Sequence, residues 1–157
     1  MRKQTISSGS ESVSRLDDAW LDLEQLAKVE VTSETAGHPI ESALIPNRGL
    51  GWRAAQPGKQ TIRLIFDHPL NLGRILLRFD EMERRRTQEF VLRWLPEGHQ
   101  SSLEIVRQQY TFSPPTTNQE SEDYRVNLNR VTTLELEIVP DITGGDASAS
   151  LAQMRLA

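Results

Sequence analysis

The sequence predicts an all-β fold, a jelly-roll β-sandwich of about eight antiparallel strands entered through a short N-terminal helix or extended segment. Three observations carry that prediction. From Val29 onward apolar and polar residues alternate with a period of two. Clusters of Pro, Gly, Asn and Asp punctuate the alternating runs. No helical pattern of comparable length separates them, which removes a βαβ architecture. The chain has 157 residues, 37% hydrophobic and 25% charged, so it is one domain with enough apolar material for a core.

Residues 1–13 are Ser-rich and polar, and are expected to form a flexible tail ahead of a domain spanning 14–157. Ser14 with Asp17 resembles a capping box, and Leu16, Trp20, Leu23 and Ala27 recur at helical spacing. Leu21 and Leu23 alternating with Asp22 offer an extended entry instead. The strand runs follow in order: "KVEVTSE", "QTIRLIFD", "GRILLRFD", "TQEFVLRWL", "LEIVRQQYTF", "DYRVNL", "TTLELEIV" and "SLAQMRL". Ile62, Leu64 and Phe66 share one face, as do Ile75, Leu77 and Phe79, and Leu134, Leu136 and Ile138. Trp52, leading into the second run, reads as a core anchor at the mouth of the sandwich. Pro69–Leu72 reads as a reversal between the second and third runs. If chain neighbours run antiparallel, the connections 35–59, 81–86, 113–121 and 140–149 share one end, and 68–71, 96–102 and 129–131 the other. The first set is the longer, and long loops on a rigid scaffold are where binding resides.

Composition narrows the chemistry. The chain has no cysteine, which excludes disulfides, thiolate metal sites and thiol catalysis. Lys and Arg number 18 against 22 Asp and Glu, a balance without the basic surplus of a nucleic-acid binder. The N-terminus starts basic but has no apolar segment of signal-peptide type, and no run suits a membrane helix, so a cytoplasmic location is expected. His38, His68 and His99 are scattered, with no ligand spacing for a metal, and no metal or cofactor is expected. The acids of "FDEMERRR" and "NQESEDY" read as hydrophilic connections, with Glu120, Glu122 and Asp123 solubilising a turn. No nucleophile elbow, phosphate loop or dinucleotide fingerprint is present, so no catalytic residue is assigned and the chain is not read as an enzyme. "ERRRTQ", Glu83–Gln88, is the one basic run. Its guanidinium forks suit an anion, while Asp80, Glu81 and Glu83 largely neutralise its field.

"VEVTSE", "PIESAL", "GWRAAQPGKQTIRLIFDHPLNLGRILLRF" and "SLAQMRLA", in that order, resemble the galactose-binding-domain-like fold of discoidin, factor V/VIII C-type and carbohydrate-binding modules. The resemblance covers roughly 26–157. "WRAAQPGKQTI" is also similar to a segment in the N-terminal domain of the vertebrate single-strand-break repair scaffold, a jelly roll that implies protein and nicked-DNA partners. The first resemblance implies a non-catalytic binding module that takes a saccharide through the loops at one end. The second implies an intracellular scaffold domain with a protein ligand. Calcium-binding relatives carry an aspartate in the loop that here reads "ALIPNRGLGW", and a glutamate near the C-terminus, where "SLAQMRLA" has no acid. The presumed loops lack an aromatic apart from Trp52. A saccharide would therefore rely on Asn47, Arg48, Arg84, Arg85 and Asn118, with the Asn47–Gly51 stretch the first place to look.

Overall fold

A computed structural model describes residues 20–157. The predicted tail 1–13 and the capping pattern at Ser14–Asp17 lie outside those residues. The chain enters through a bend at Trp20 and an extended Asp22, with the Leu21 N–H donating to Leu156 O at 2.8 Å. One helical turn, α1 (Leu23–Leu26), follows, and Ala27 already belongs to a strand. Both alternatives for the entry are thus realised in part. The remaining elements are β1 (Ala27–Val31), a second single turn α2 (Glu41–Leu44), β2 (Trp52–Pro57), β3 (Gln60–Asp80), β4 (Arg86–Pro96), β5 (Leu103–Phe112), β6 (Gln119–Val139), β7 (Ser148–Leu151) and β8 (Gln153–Leu156).

The all-β sandwich of eight strands stands as expected, but its divisions differ. The runs before and after Pro69 form one 21-residue strand, β3, and those around Arg130 form another, β6. The two pair antiparallel throughout, from Gln60 opposite Ile138 to Asp80 opposite Gln119. Register shifts between Ile65 and Arg74 bend the ribbon. Pro69 lacks an N–H for the ladder. Arg130, at φ 58°, donates its N–H to Asn71 Oδ1 at 2.9 Å. The Pro69–Leu72 reversal is therefore corrected: the chain folds over into the facing layer without leaving its partner strand. β2 was unforeseen as a strand, and "SLAQMRL" divides at Ala152 into the end of β7 and β8.

The first half of β3 lies between β1 and the second half of β6, followed by β4 and β5. The second half of β3 lies between β8 and the first half of β6. β2 and β7 form a separate two-stranded sheet. The layers meet where the Phe79 and Phe90 rings stack with centroids 5.2 Å apart. The inward positions foreseen from the alternation, Ile62, Leu64, Phe66, Ile75, Leu77, Phe79, Leu134, Leu136 and Ile138, are all buried. Trp52 is 1% exposed and donates Nε1–H to Ser33 O at 2.9 Å, which satisfies its one polar atom and confirms it as core.

Candidate functional site: the loop end of the sandwich

Because the β3–β6 ribbon folds over, both ends of β6 return to the start of β4. The connections on either side of them gather at that end, as the strand directions predict. The Glu81 N–H donates to Asn118 O at 2.8 Å, Ile142 N–H to Thr87 O at 2.9 Å, and Gly58 N–H to Ala147 O at 3.2 Å. These bonds join the segments that follow β3, β5, β6 and β2.

Arg86 is the anchor of this end. Strand periodicity puts Arg86, Gln88 and Phe90 on the inward face of β4, and all three are buried. The Arg86 Nε donates to Glu81 Oε1 at 2.7 Å, and Nη1 donates to Pro140 O at 2.8 Å and to Gln88 Oε1 at 3.2 Å. Its guanidinium lies 4.7 Å from the centroid of the Phe112 ring. One side chain thereby ties the connections after β3 and β6 to β4 and the end of β5, in a low-dielectric setting where each charged hydrogen bond is strong. Burial pushes the Glu81 carboxyl up, but the Arg86 guanidinium and the N–H groups of Glu83 and Arg84 outweigh it and hold its pKa below the ordinary carboxylate range.

Outside this anchor runs a groove of about 440 Å³. Arg53 from β2 and Ser148 and Ser150 from β7 form one wall, with Arg53 opposite Ser150 in the ladder. Asp80, Glu81, Met82, Glu83 and Arg84 form the other, and Asp146 closes it. Arg84 Nη1 donates to Asp146 Oδ1 at 2.9 Å across the gap. That contact raises the arginine pKa and lowers the aspartate's, with both groups facing water. A recess of about 70 Å³ shares Arg53, Asp80 and Ser150 with the groove and extends it toward Leu50. Two exposed apolar side chains flank this path, Leu50 at 87% and Met82 at 63%. Arg53 lines the groove and makes no ion pair among the described residues.

The five sequence-predicted residues divide between places. Arg84 lines the groove. Arg85 is exposed on the same connection but is not part of the lining, and half-buried Asn118 meets Glu81 through its backbone. Asn47 lines a different depression, on the outer face of the β8 side. Arg48 pairs with Glu24 at 3.0 Å. Asn47 and Arg84 thus line different depressions. The reason is local: α2 and the left-handed Asn47, φ 63°, carry that loop sideways. Of the three arginines in the basic run, Arg84 and Arg85 are exposed and Arg86 is core. The turn expected at Glu120–Asp123 is corrected to strand: Glu120 is 2% exposed, and Asp123 takes two bonds from Arg74 at 2.9 and 2.7 Å. Sequence reasoning missed Arg53, Asp80, Ser148 and Ser150. The available signal was the alternation of Trp52, Arg53 and Ala54, which turns Arg53 outward as its neighbours go in.

No known family model matches the chain, and no curated protein sequence does. Solved structures do. A pectin-binding carbohydrate-binding module aligns at 15% identity over 84% of this chain and 90% of its own, with a TM-score of 0.58. A family 32 carbohydrate-binding module from Clostridium perfringens, solved with galactose, aligns at 10% identity over 87% and 96%, with a TM-score of 0.62. An F5/8 type C domain from a Bacteroides fragilis protein aligns at 13% identity over 87% and 93%, with a TM-score of 0.55. These likenesses show that the chain has the galactose-binding-domain-like, discoidin-type sandwich fold.

Proposed function

We propose that the protein is a non-catalytic binding module that takes a saccharide in the groove at its loop end. The observation that carries this reading is the convergence of the long connections on a groove whose Glu81 is held from behind by Arg86 and whose walls offer charged donors and acceptors. Arg53 and Arg84 supply paired N–H groups, Asp80 and Glu83 supply carboxylate oxygens, and Ser148 and Ser150 supply hydroxyls. Vicinal sugar hydroxyls pair well with such groups, which donate and accept in fixed directions. Leu50 and Met82 offer apolar shoulders for a sugar's C–H face. No aromatic platform stands exposed in the groove, so affinity rests on polar contacts, and a dissociation constant of about 1 mM, near −4 kcal/mol, is expected. The saccharide-bound and pectin-binding neighbours support the same reading.

Titration calorimetry and a glycan array with galactose, N-acetylgalactosamine and galacturonate oligomers test it. Millimolar binding that is lost in Arg53→Ala, with the fold intact by circular dichroism, is the expected result. No binding to any saccharide at millimolar concentration overturns the reading.

A further inference from the structure

A second and larger depression, about 780 Å³, lies on the outer face of the layer that carries β8. Its floor comes from the paired strands β3 and β8, where Arg78 stands opposite Gln153 and Leu76 opposite Arg155. Odd-numbered β8 positions and even-numbered β3 positions point away from the core, so Arg78 and Arg155 share this outer face. The entry segment with Trp20 and the loop after α2 with Asn47 form its walls.

We propose that this depression binds an oxyanion, a carboxylate or phosphate carried on a small molecule, between Arg78 and Arg155. Arg155 is only 9% exposed, yet no carboxylate pairs with it among the described residues. Its Nη1 donates to two backbone carbonyls, Ala43 O at 2.9 Å and Met154 O at 2.8 Å. Those bonds orient the guanidinium and leave its positive charge uncompensated. Arg78 adds a second charge: among the described residues its Nε is buried without a hydrogen-bond partner, while its Nη2 is ion-paired with Asp80 Oδ2 at 3.4 Å on its other side. Burial, and then the charge of Arg78, push the Arg155 pKa down from the ordinary guanidinium value, as expected of a buried guanidinium beside a second positive charge.

The contrast with Arg86 is informative. That buried arginine has a carboxylate at 2.7 Å and two further acceptors. Leaving a buried charge unpaired is strongly unfavourable, and a bidentate oxyanion is the partner a guanidinium fork fits best. The acids at the rim do not fill this role. Glu24 is held by Arg48 at 3.0 Å, and Asp22 is exposed. The space exceeds that of a bare ion and suits a ligand with a ring attached to its charge. Ser42 Oγ, which donates to Arg48 O at 2.9 Å, braces the loop over it.

Titration calorimetry of the full chain with galacturonate, glucose 6-phosphate, inorganic phosphate and neutral galactose tests the proposal, with the Arg Nε–H signals followed by NMR. The expected result is binding of at least one oxyanion, weakened about tenfold or more in Arg78→Gln, unchanged in Arg107→Gln on the exposed face of β5, and screened by salt. The galacturonate and phosphate arms separate a carboxylate ligand from a phosphate one. Equal affinity in wild type and Arg78→Gln, or no perturbation of an Arg Nε–H by any oxyanion, overturns it. Arg78 is half exposed, so its replacement leaves the fold intact for the measurement, and loss of neutral-sugar binding at the loop end has no bearing on the outcome.

Discussion

Glu120 makes the stability of this sandwich depend on pH in the direction opposite to most carboxylates. It sits in β6 on the inward face, 2% exposed; Oε1 accepts from Gln88 Nε2 at 3.2 Å, and Oε2 is buried without a partner. Burial first, and then Glu122 two residues along the same face, push its pKa from 4.5 up to about 8. The folded state therefore holds the proton that the unfolded chain releases near 4.5. The neutral carboxyl's contribution is fully present below that value, is lost as pH rises, and is exhausted above about 8. At pH 7 the difference of 2.5 units from 4.5 corresponds to about 3 kcal/mol, an upper limit because a buried carboxylate recruits water and relaxes its surroundings. Glu120→Gln keeps the shape and the bond to Gln88 and cannot titrate. Urea unfolding at pH 5, 7 and 9 reads the effect. The wild type is expected to weaken steadily across the series while the variant stays nearly level, so the variant gains on the wild type by about 2–3 kcal/mol at pH 7. The lowered carboxyls of Glu81, Asp123, Asp141 and Asp146 do not mask this, because their contributions are lost only as pH falls through the acid range. Parallel pH profiles for the two proteins would refute the reasoning.

Arg86→Met is expected to cost about 3–5 kcal/mol in chemical unfolding, because Glu81 and Gln88 lose their partner. Adding Glu81→Gln should recover part of that loss, and additive effects in the double-mutant cycle would sink the network account. Gly51→Ala is expected to lower the unfolding midpoint by about 2 kcal/mol or more in free-energy terms. Gly51 has φ 103°, and an added Cβ would lie 2.7 Å from Leu151 O and 2.9 Å from Ala152 Cα. A midpoint equal to wild type would show that β2 and β7 separate at little cost.

The core was legible in the sequence because burial on one face imposes a period of two, and nothing else in the chain competes with that signal. The bends were not. Pro69, Asn71 and Asn129 have the chemistry of turns, and in isolation each run would end there. Two strands bulging opposite one another let the ladder continue through the bend, and that pairing of distant segments has no trace in local composition. The gathering of long connections followed from strand direction alone, because a strand that folds over returns to the same end as one that turns. The individual site residues were less legible. Arg84 was found because it sits on a connection. Asn47 and Arg48 were displaced from the loop end by α2, a single turn too short for periodicity to reveal.

Two arginines show how far the pattern of a strand can carry a functional reading. Arg86 falls in phase with Gln88 and Phe90, so the alternation of β4 already places it inward. A charge placed inward must find an acid, and Glu81 lies five residues away. Arg155 falls out of phase with Met154 and Leu156, which the alternation of β8 sends inward, and should be solvated; yet all three are buried. What covers Arg155 is tertiary: the entry segment, α2 and the loop behind it lie across the outer face of the strand. Burial by phase is resolved within the chain, because an inward charge without a partner would stop the sandwich from closing. Burial by a covering loop carries no such demand. The loop can close over water or a ligand, and the compensating charge can come from outside the chain. That difference separates the deeply tied, structural arginine from the one whose carboxylate is missing among the described residues, on which the proposed oxyanion site rests.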